Sequence, residues 1–292
     1  MFDIFKEKRY NQAIHTEVRT AMKSQQIHYL KIEFLDDFPV YHFSYTQKYT
    51  SSIKMHYHNG LEIGLCMEGT GVFFIGDQVC PFTKGDISII MPGWPHIAQS
   101  PNERPSQWNY ITIDTDRFPI QLRNPHNEIL SDHDLTELVR LVFSELHEQK
   151  EGYREAVLSL LQVLFIRLNR QENMKEFRLE GNGNLEMILP ALNYLSQNYR
   201  EDVSVCQMAK ACNLSESHFR RVFKRVTKDL PLTYLVKIRL KMAAVLLESS
   251  ERPIAHIAQE VGFKSLSSFN RQFQKQYQMT PRQWRNFHKP FG

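Results

Sequence analysis

Four side chains in the first hundred residues have types and spacing that suit ligand binding. His56, His58 and Glu62 fall in one short stretch, and His96 follows further along. In an extended strand successive side chains alternate, so His56 and His58 share a face. Three imidazoles and a carboxylate drawn to one point surround a divalent ion well, and these donors suit Fe, Mn, Ni or Zn. Tyr57, Phe73, Phe74, Trp94, Trp108 and Tyr110 lie around the same stretch. Their rings offer a stacking surface for a sugar, and equally the filling of an apolar core. Three readings stay open for this region. It is a metal centre at His56, His58, Glu62 and His96, a pocket for an organic effector to which Trp94 and Tyr110 also contribute, or a structural remnant.

A second constellation lies near the other end. Ser217, Arg220, Arg221 and Lys224 recur at i, i+3, i+4 and i+7, one face of a helix whose other face is Phe219, Val222, Phe223 and Val226. Fifty residues on, Ser267, Asn270, Arg271 and Gln274 share an outer face opposite Phe269 and Phe273. A helix is about as wide as the DNA major groove; Arg forks onto guanine, and Asn or Gln pairs with adenine.

The two stretches belong to a repeat. Val205, Met208, Ala209 and Leu214 match Ile254, Ile257, Ala258 and Phe263 at an offset of 49, and Phe219, Arg221, Phe223, Pro231 and Tyr234 match Phe269, Arg271, Phe273, Pro281 and Trp284 at 50. Two copies are too few for a solenoid, which leaves a tandem pair of modules, at about 204–226 and 253–275. Ser204 to Gln207 fits a capping box, and Pro253 opens the matching helix. Asn213 and Gly262 stand where a tight turn between helices needs a left-handed backbone. Each copy therefore reads as a helix-turn-helix. Thr233 to Ser249 reads as one helix of about 25 Å, which sets the reading helices roughly one duplex turn (~34 Å) apart, over two successive major grooves.

The elements ahead of the repeat differ in kind. Residues about 30–120 are short runs of Val, Ile, Phe and Tyr broken by turn residues such as Gly69, Gly76-Asp77 and Lys84-Gly85-Asp86, as in a small barrel or sandwich. Two amphipathic helices follow at 133–147 and 153–170, to cover the barrel or form a dimer interface. Residues 171–184 are polar and Gly-Asn-rich, the expected linker. The fold class expected is α+β in two parts, residues 1–170 and 185–290. Charge follows the same division: residues 1–186 carry a net −6 and residues 187–292 a net +10, the imbalance of a segment that meets a polyanion. The start of the chain has charges where a secretory peptide would be apolar, no apolar run is long enough to span a bilayer, and four cysteines form no CxxC pair. A cytoplasmic protein with free thiols and no membrane contact is the expectation. No phosphate loop, nucleophile elbow or HExxH motif accompanies these features.

Ser-x-x-His-Phe-x-Arg-x-Phe-Lys at 215–224, Ile254-x-x-Ile-Ala-x-x-Val-Gly-Phe263, Phe269-x-Arg-x-Phe273 and Met279-Thr-Pro-x-x-Trp-Arg285 resemble the AraC/XylS family of bacterial transcriptional regulators. The resemblance implies base or backbone contacts for Ser217, Arg220, Arg221 and Lys224 in the first module and for Leu266, Ser267, Asn270 and Arg271 in the second. It implies a homodimer, promoter DNA, a small-molecule effector (a sugar is the first choice) and, for an activator, RNA polymerase as partners. His56-x-His58-x3-Glu62-x6-Gly69 and Gly85-x7-Gly93-x2-His96 resemble the two cupin motifs. The second departs from the pattern, with Met91 where Pro is usual and no Asn at the usual distance after His96. Regulators of this kind often keep the cupin pattern while binding effector without metal, so no cofactor is expected, a divalent metal being the lesser reading. The rival function is a metal-dependent cupin enzyme with a basic accessory part.

Overall fold

Among the described residues the alternating stretches of the front half form ten strands. The computed structural model describes residues 27–46, 55–101, 105–120, 122, 127–170 and 183–288. The strands are β1 (His28–Leu30), β2 (Val40–Thr46), β3 (His56–His58), β4 (Leu61–Glu68), β5 (Thr70–Ile75), β6 (Gln78–Thr83), β7 (Ile87–Ile90), β8 (His96–Gln99), β9 (Gln107–Ile113) and β10 (Glu128–Leu130). They form two five-stranded sheets, ordered β1-β3-β8-β5-β6 and β10-β7-β4-β9-β2. Pairing is antiparallel except between β1 and β3. Ile75 pairs with Gln78, so Gly76-Asp77 makes a two-residue turn, and Gly76 takes the positive φ of 56° that such turns demand.

Residue parity decides what each sheet covers. On β4, β7 and β9, Leu61, Ile63, Leu65, Ile87, Ile89, Ile111 and Ile113 point outward and are buried under α1 (His133–Glu148) and α2 (Tyr153–Leu168). Asp132 caps α1, its carboxylate accepting from Leu135 N–H, and Leu135, Val139 and Val142 follow at helical spacing onto the sheet. The two helices therefore cover the outer face of one sheet. Leu141, Val163 and Ile166 remain exposed on them. The inward positions of the same strands are Glu62, Gly64, Cys66, Ser88, Ile90, Trp108, Tyr110 and Thr112.

The helical half comprises α3 (Gly183–Asn198), α4 (Val205–Ala211), α5 (Glu216–Thr227), α6 (Pro231–Ser249), α7 (Ile254–Glu260), α8 (Leu266–Tyr277) and α9 (Pro281–Phe287). Helix α3 takes in the last two residues assigned to the linker, and linker residues 171–182 lie outside the described residues. Helix α6 starts two residues earlier than its apolar pattern suggested, because Pro231 occupies the first turn, where its missing N–H costs nothing. Pro253 serves as N-cap, one place ahead of the position its type predicted.

Helix α6 also explains why all six residues of β5 are buried, where a sheet with one wet face would show alternation. Phe73 turns inward to Trp108, while Val72 and Phe74 join the cluster that includes Leu235, Ile238 and Met242 of α6. Hydrogen bonds fix the contact. Tyr234 Oη donates to Asp77 O (2.9 Å), Lys241 Nζ to Val79 O, Arg200 Nη2 to Ser100 O (3.0 Å), and Met55 N–H to Asn193 Oδ1 (3.1 Å). Among the described residues no helix is long and apolar enough to cross a membrane, and all four cysteines are free.

Candidate functional sites: a duplicated helix-turn-helix and a histidine–carboxylate cluster

Both reading helices form for local reasons. Ser215 caps α5 by accepting from His218 N–H (3.4 Å), and Ser265 caps α8 by accepting from Ser268 N–H (3.2 Å). The preceding turns carry the left-handed residues expected, Asn213 at φ 54° and Gly262 at φ 95°. Each turn closes with an equivalent bond, Leu214 N–H to Ala209 O (3.0 Å) and Phe263 N–H to Ala258 O (2.9 Å). Phe219 and Phe223 pack at 5.2 Å between ring centroids, Phe269 and Phe273 at 5.5 Å, and all four are fully buried. With the aromatic faces turned in, Ser217, Arg220, Arg221 and Lys224 on α5 and Leu266, Ser267, Asn270 and Arg271 on α8 are exposed. Arg220 holds Glu216 at 3.6 Å, a surface pair worth about 0–1 kcal/mol.

The second site lies between the sheets. His56 sits directly opposite His96 in the β3–β8 pairing, with ring centroids 4.4 Å apart, and His58 is 5.0 Å from His96. Glu62 reaches them from the facing sheet: its Oε2 is 3.2 Å from His58 Nε2 and its Oε1 3.4 Å from His96 Nε2. His58, Glu62 and His96 are 2–3% exposed, and His56 is half-buried. Burial pushes the Glu62 carboxyl up, but electrostatic attraction to the His96 and His58 imidazoles beside it and the hydrogen bond with His58 outweigh it and hold the group well below the usual carboxylate range. Imidazole nitrogens of His56, His58 and His96 all lie within 4.8 Å of one another, so the residue set fits a metal ion.

Of the two candidate aromatics, Tyr110 is inside, stacked between Trp108 (5.6 Å) and Phe43 (5.1 Å), its hydroxyl pKa raised by burial and by Glu62. Trp94 contributes differently from its sequence role. Its indole lies over Gly76 at the β5–β6 turn, and its carbonyl oxygen reaches the cluster by accepting from His96 Nδ1.

The family described as "AraC-like ligand binding domain" matches residues 40–165, and the one described as "Helix-turn-helix domain" matches residues 208–286. The chain belongs to the AraC/XylS family of transcriptional regulators. Like its family, this AraC/XylS regulator joins a ligand-binding domain to a DNA-binding helix-turn-helix domain, in an α+β fold. It is similar to the HTH-type transcriptional activator RhaR of Mannheimia succiniciproducens, with 25% identity over 82% of this chain and 89% of the relative. It is also similar to the lactose operon transcription activator of Staphylococcus xylosus, with 23% identity over 75% of this chain and 81% of the relative. The DNA-binding domain of AdpA, solved in complex with a target DNA, aligns at 28% identity over 36% of this chain and 91% of that one, with a TM-score of 0.32. The RhaR and lactose operon relatives are named as transcriptional activators.

Sequence reasoning passed over three residues of the AraC/XylS regulator's interior between the two sheets. Ser88 Oγ and Thr112 Oγ1 are buried without a hydrogen-bond partner among the described residues, on the same inward parity as Glu62. A lone Ser in Ile87-Ser88-Ile89-Ile90 and a lone Thr in Tyr110-Ile111-Thr112-Ile113 were the available signal. Gly64 completes the set: a Cβ there would lie 2.4 Å from Ser88 Oγ and 2.6 Å from the Tyr110 ring, so only glycine leaves room for both.

Proposed function

We propose that this regulator is a transcriptional activator whose two modules read successive major grooves of a promoter, under control of a carbohydrate-class effector taken up between its sheets. The duplicated geometry of α5 and α8, each presenting polar and cationic side chains outward from a buried phenylalanine pair, carries the DNA part of this reading. Affinity then comes chiefly from phosphate neutralisation, and sequence choice from Arg221, Asn270 and Arg271. The effector class is supported by the lining: rings of Phe73, Trp108 and Tyr110 beside buried Ser88, Thr112, Glu62, His58 and His96 combine a stacking surface with hydrogen-bonding groups. The names of RhaR and of the lactose operon activator point the same way.

Residues 1–170 act as the sensing part, 171–184 as the linker and 185–290 as the DNA-binding part. Exposed Leu141, Val163 and Ile166 on α1 and α2 support a homodimer through those helices. The protein works in the cytoplasm, with RNA polymerase as the partner of the bound activator. Binding of the full chain to its own upstream region, against random duplex at moderate salt, tests the DNA reading; equal affinity for both defeats it. A melting-temperature screen against sugars tests the effector class, since a ligand that binds only the folded state raises the transition. Stabilisation by no sugar in the panel defeats that part alone.

A further inference from the structure

Trp108 is one of the rings offered to a ligand between the sheets, and its one polar atom is committed to a network that leads out of the β domain. The indole N–H donates to Ser106 Oγ (3.1 Å), which also accepts from Ser100 Oγ (2.7 Å), while Ser106 N–H donates back to Ser100 Oγ (3.2 Å). All three residues are buried. Ser100 directly follows β8, the strand of His96, so the network ties β8 to β9, which belong to facing sheets. Linked hydrogen bonds polarise one another, and a shift at one is felt along the row.

The row continues into the helical half at Arg200, in the turn between α3 and α4. Arg200 Nη2 donates to Ser100 O at 3.0 Å and Nε to Tyr199 Oη at 3.0 Å, and the guanidinium lies 5.0 Å from the Tyr199 ring centroid. The Arg200 main chain has a different neighbour. A Cβ built on Gly262, in the turn ahead of α8, would lie 2.6 Å from Arg200 O, so the two backbones are in direct contact. Arg239 of α6 clamps the same turn, its Nε donating to Tyr199 O and its Nη2 to Glu201 O, both at 2.7 Å. Four residues after Arg200, Ser204 caps α4. Arg200 therefore touches the β domain, leads into the first module and abuts the turn of the second.

We propose that Arg200 is the positioning residue through which a ligand between the sheets sets the angle of the second reading helix, and with it the fit of α8 to its half-site. This rests on the effector reading of the β domain and names how that site regulates. A ligand stacked on Trp108 displaces the ring and its N–H, and Ser106 and Ser100 follow. The Arg200–Ser100 bond is then kept or lost. The Gly262 turn, with no side chain between it and Arg200, moves with the backbone which that bond holds. Coupling of binding free energies is reciprocal, so DNA on α8 alters the surroundings of Trp108 to the same degree.

The test needs no effector. In the full chain, Ser106→Ala removes the middle of the network, and Arg200→Lys keeps the charge while withdrawing the donor from Ser100. Amide exchange is followed at Gly262 and Phe263, which donate to Gln259 O and Ala258 O, with Asn213 and Leu214 of the first module as the reference. Ser106→Ala is expected to speed exchange at the second turn ~3-fold or more relative to the first, and to add nothing in the Arg200→Lys background. Trp108→Phe replaces Ser106→Ala, and Arg200→Gln replaces Arg200→Lys, where the first choice does not fold. Equal effects on both turns, no effect at the second, or additive effects in the double variant overturn the proposal. A duplex of the chain's own upstream region tests the reverse direction: its binding is expected to change exchange in β8 and β9 of the wild type and not of Arg200→Lys. A bound wild type without that change also overturns the proposal. A chain that shows the coupling yet does not prefer that duplex to random sequence loses the regulator reading alone, and one that selects the duplex while the variants add loses only the role of Arg200.

Discussion

The two helix-turn-helix modules share one aromatic skeleton and meet different surroundings. In each, the second phenylalanine of the reading helix is met edge-on by an aromatic residue from the next helix, Phe223 by Tyr234 at 5.4 Å and 83°, Phe273 by Trp284 at 5.9 Å and 80°. Both partners carry a polar tip that has to be satisfied when the ring packs. Tyr234 sends its hydroxyl out of the module to Asp77 O in the β5–β6 turn, whereas Trp284 keeps its indole N–H within the helical half, on Glu248 of α6. The same packing unit is thus fastened to the ligand-binding domain in one copy and to the connecting helix in the other. Helix α6 packs against β5 and β6 and also against the second module, so both modules meet the β domain through it.

The largest effects that probe this difference come from the cores. Phe223→Ala and Phe273→Ala each remove a fully buried ring and are expected to cost about 3–5 kcal/mol. Hydrogen exchange should then show the β5–β6 turn losing protection in Phe223→Ala and keeping it in Phe273→Ala; loss in both would break the comparison. The turns come next. Gly262→Ala forces a side chain onto φ 95° and sets its Cβ 2.6 Å from Arg200 O, for about 1–3 kcal/mol. Asn213→Ala, at φ 54°, should cost less, about 1–2 kcal/mol, and denaturant titration would reveal a reversed order.

Arg221→Ala and Arg271→Ala sharpen the comparison at the DNA. Each is expected to cost about 1–3 kcal/mol of discrimination at one base position, in different half-sites. A competition assay over all single-base variants of the site reads this out, and a uniform loss across sequences would assign both residues to phosphates. Smallest is the pair Tyr234→Phe and Trp284→Phe. Removing the tyrosine hydroxyl should lower the melting transition of the β domain through a loss of about 0.5–1.5 kcal/mol. The tryptophan change should leave that transition in place, and equal shifts would show that the two fastenings are not distinct.

How much of this was legible in the residues depended on range. The modules were readable almost to the residue, because a capping box at Ser204–Gln207, left-handed turns at Asn213 and Gly262 and an i, i+4 phenylalanine pair are properties of neighbours in the chain. Misplacements there were of one or two residues, at Pro253 and Pro231, where one proline caps a helix and the other begins one. The cluster was half legible. Period-two parity brought His56 and His58 to one face, but nothing local placed Glu62 in the opposite sheet or His96 directly across from His56. Ser88, Thr112 and Asn193 escaped notice because a single polar residue in an apolar strand or helix has no pattern of its own.

The order of amino acids by itself determined the two kinds of architecture and the duplicated helix-turn-helix, since helix, cap and turn energies act over a few residues. Which nitrogen of His58 and His96 faces Glu62, and which module the β domain grips, were decided only when distant strands and helices packed. Those choices are set by carbonyl oxygens and backbone turns such as Gly60, Trp94 and Asp77, which every sequence possesses and only a fold can position.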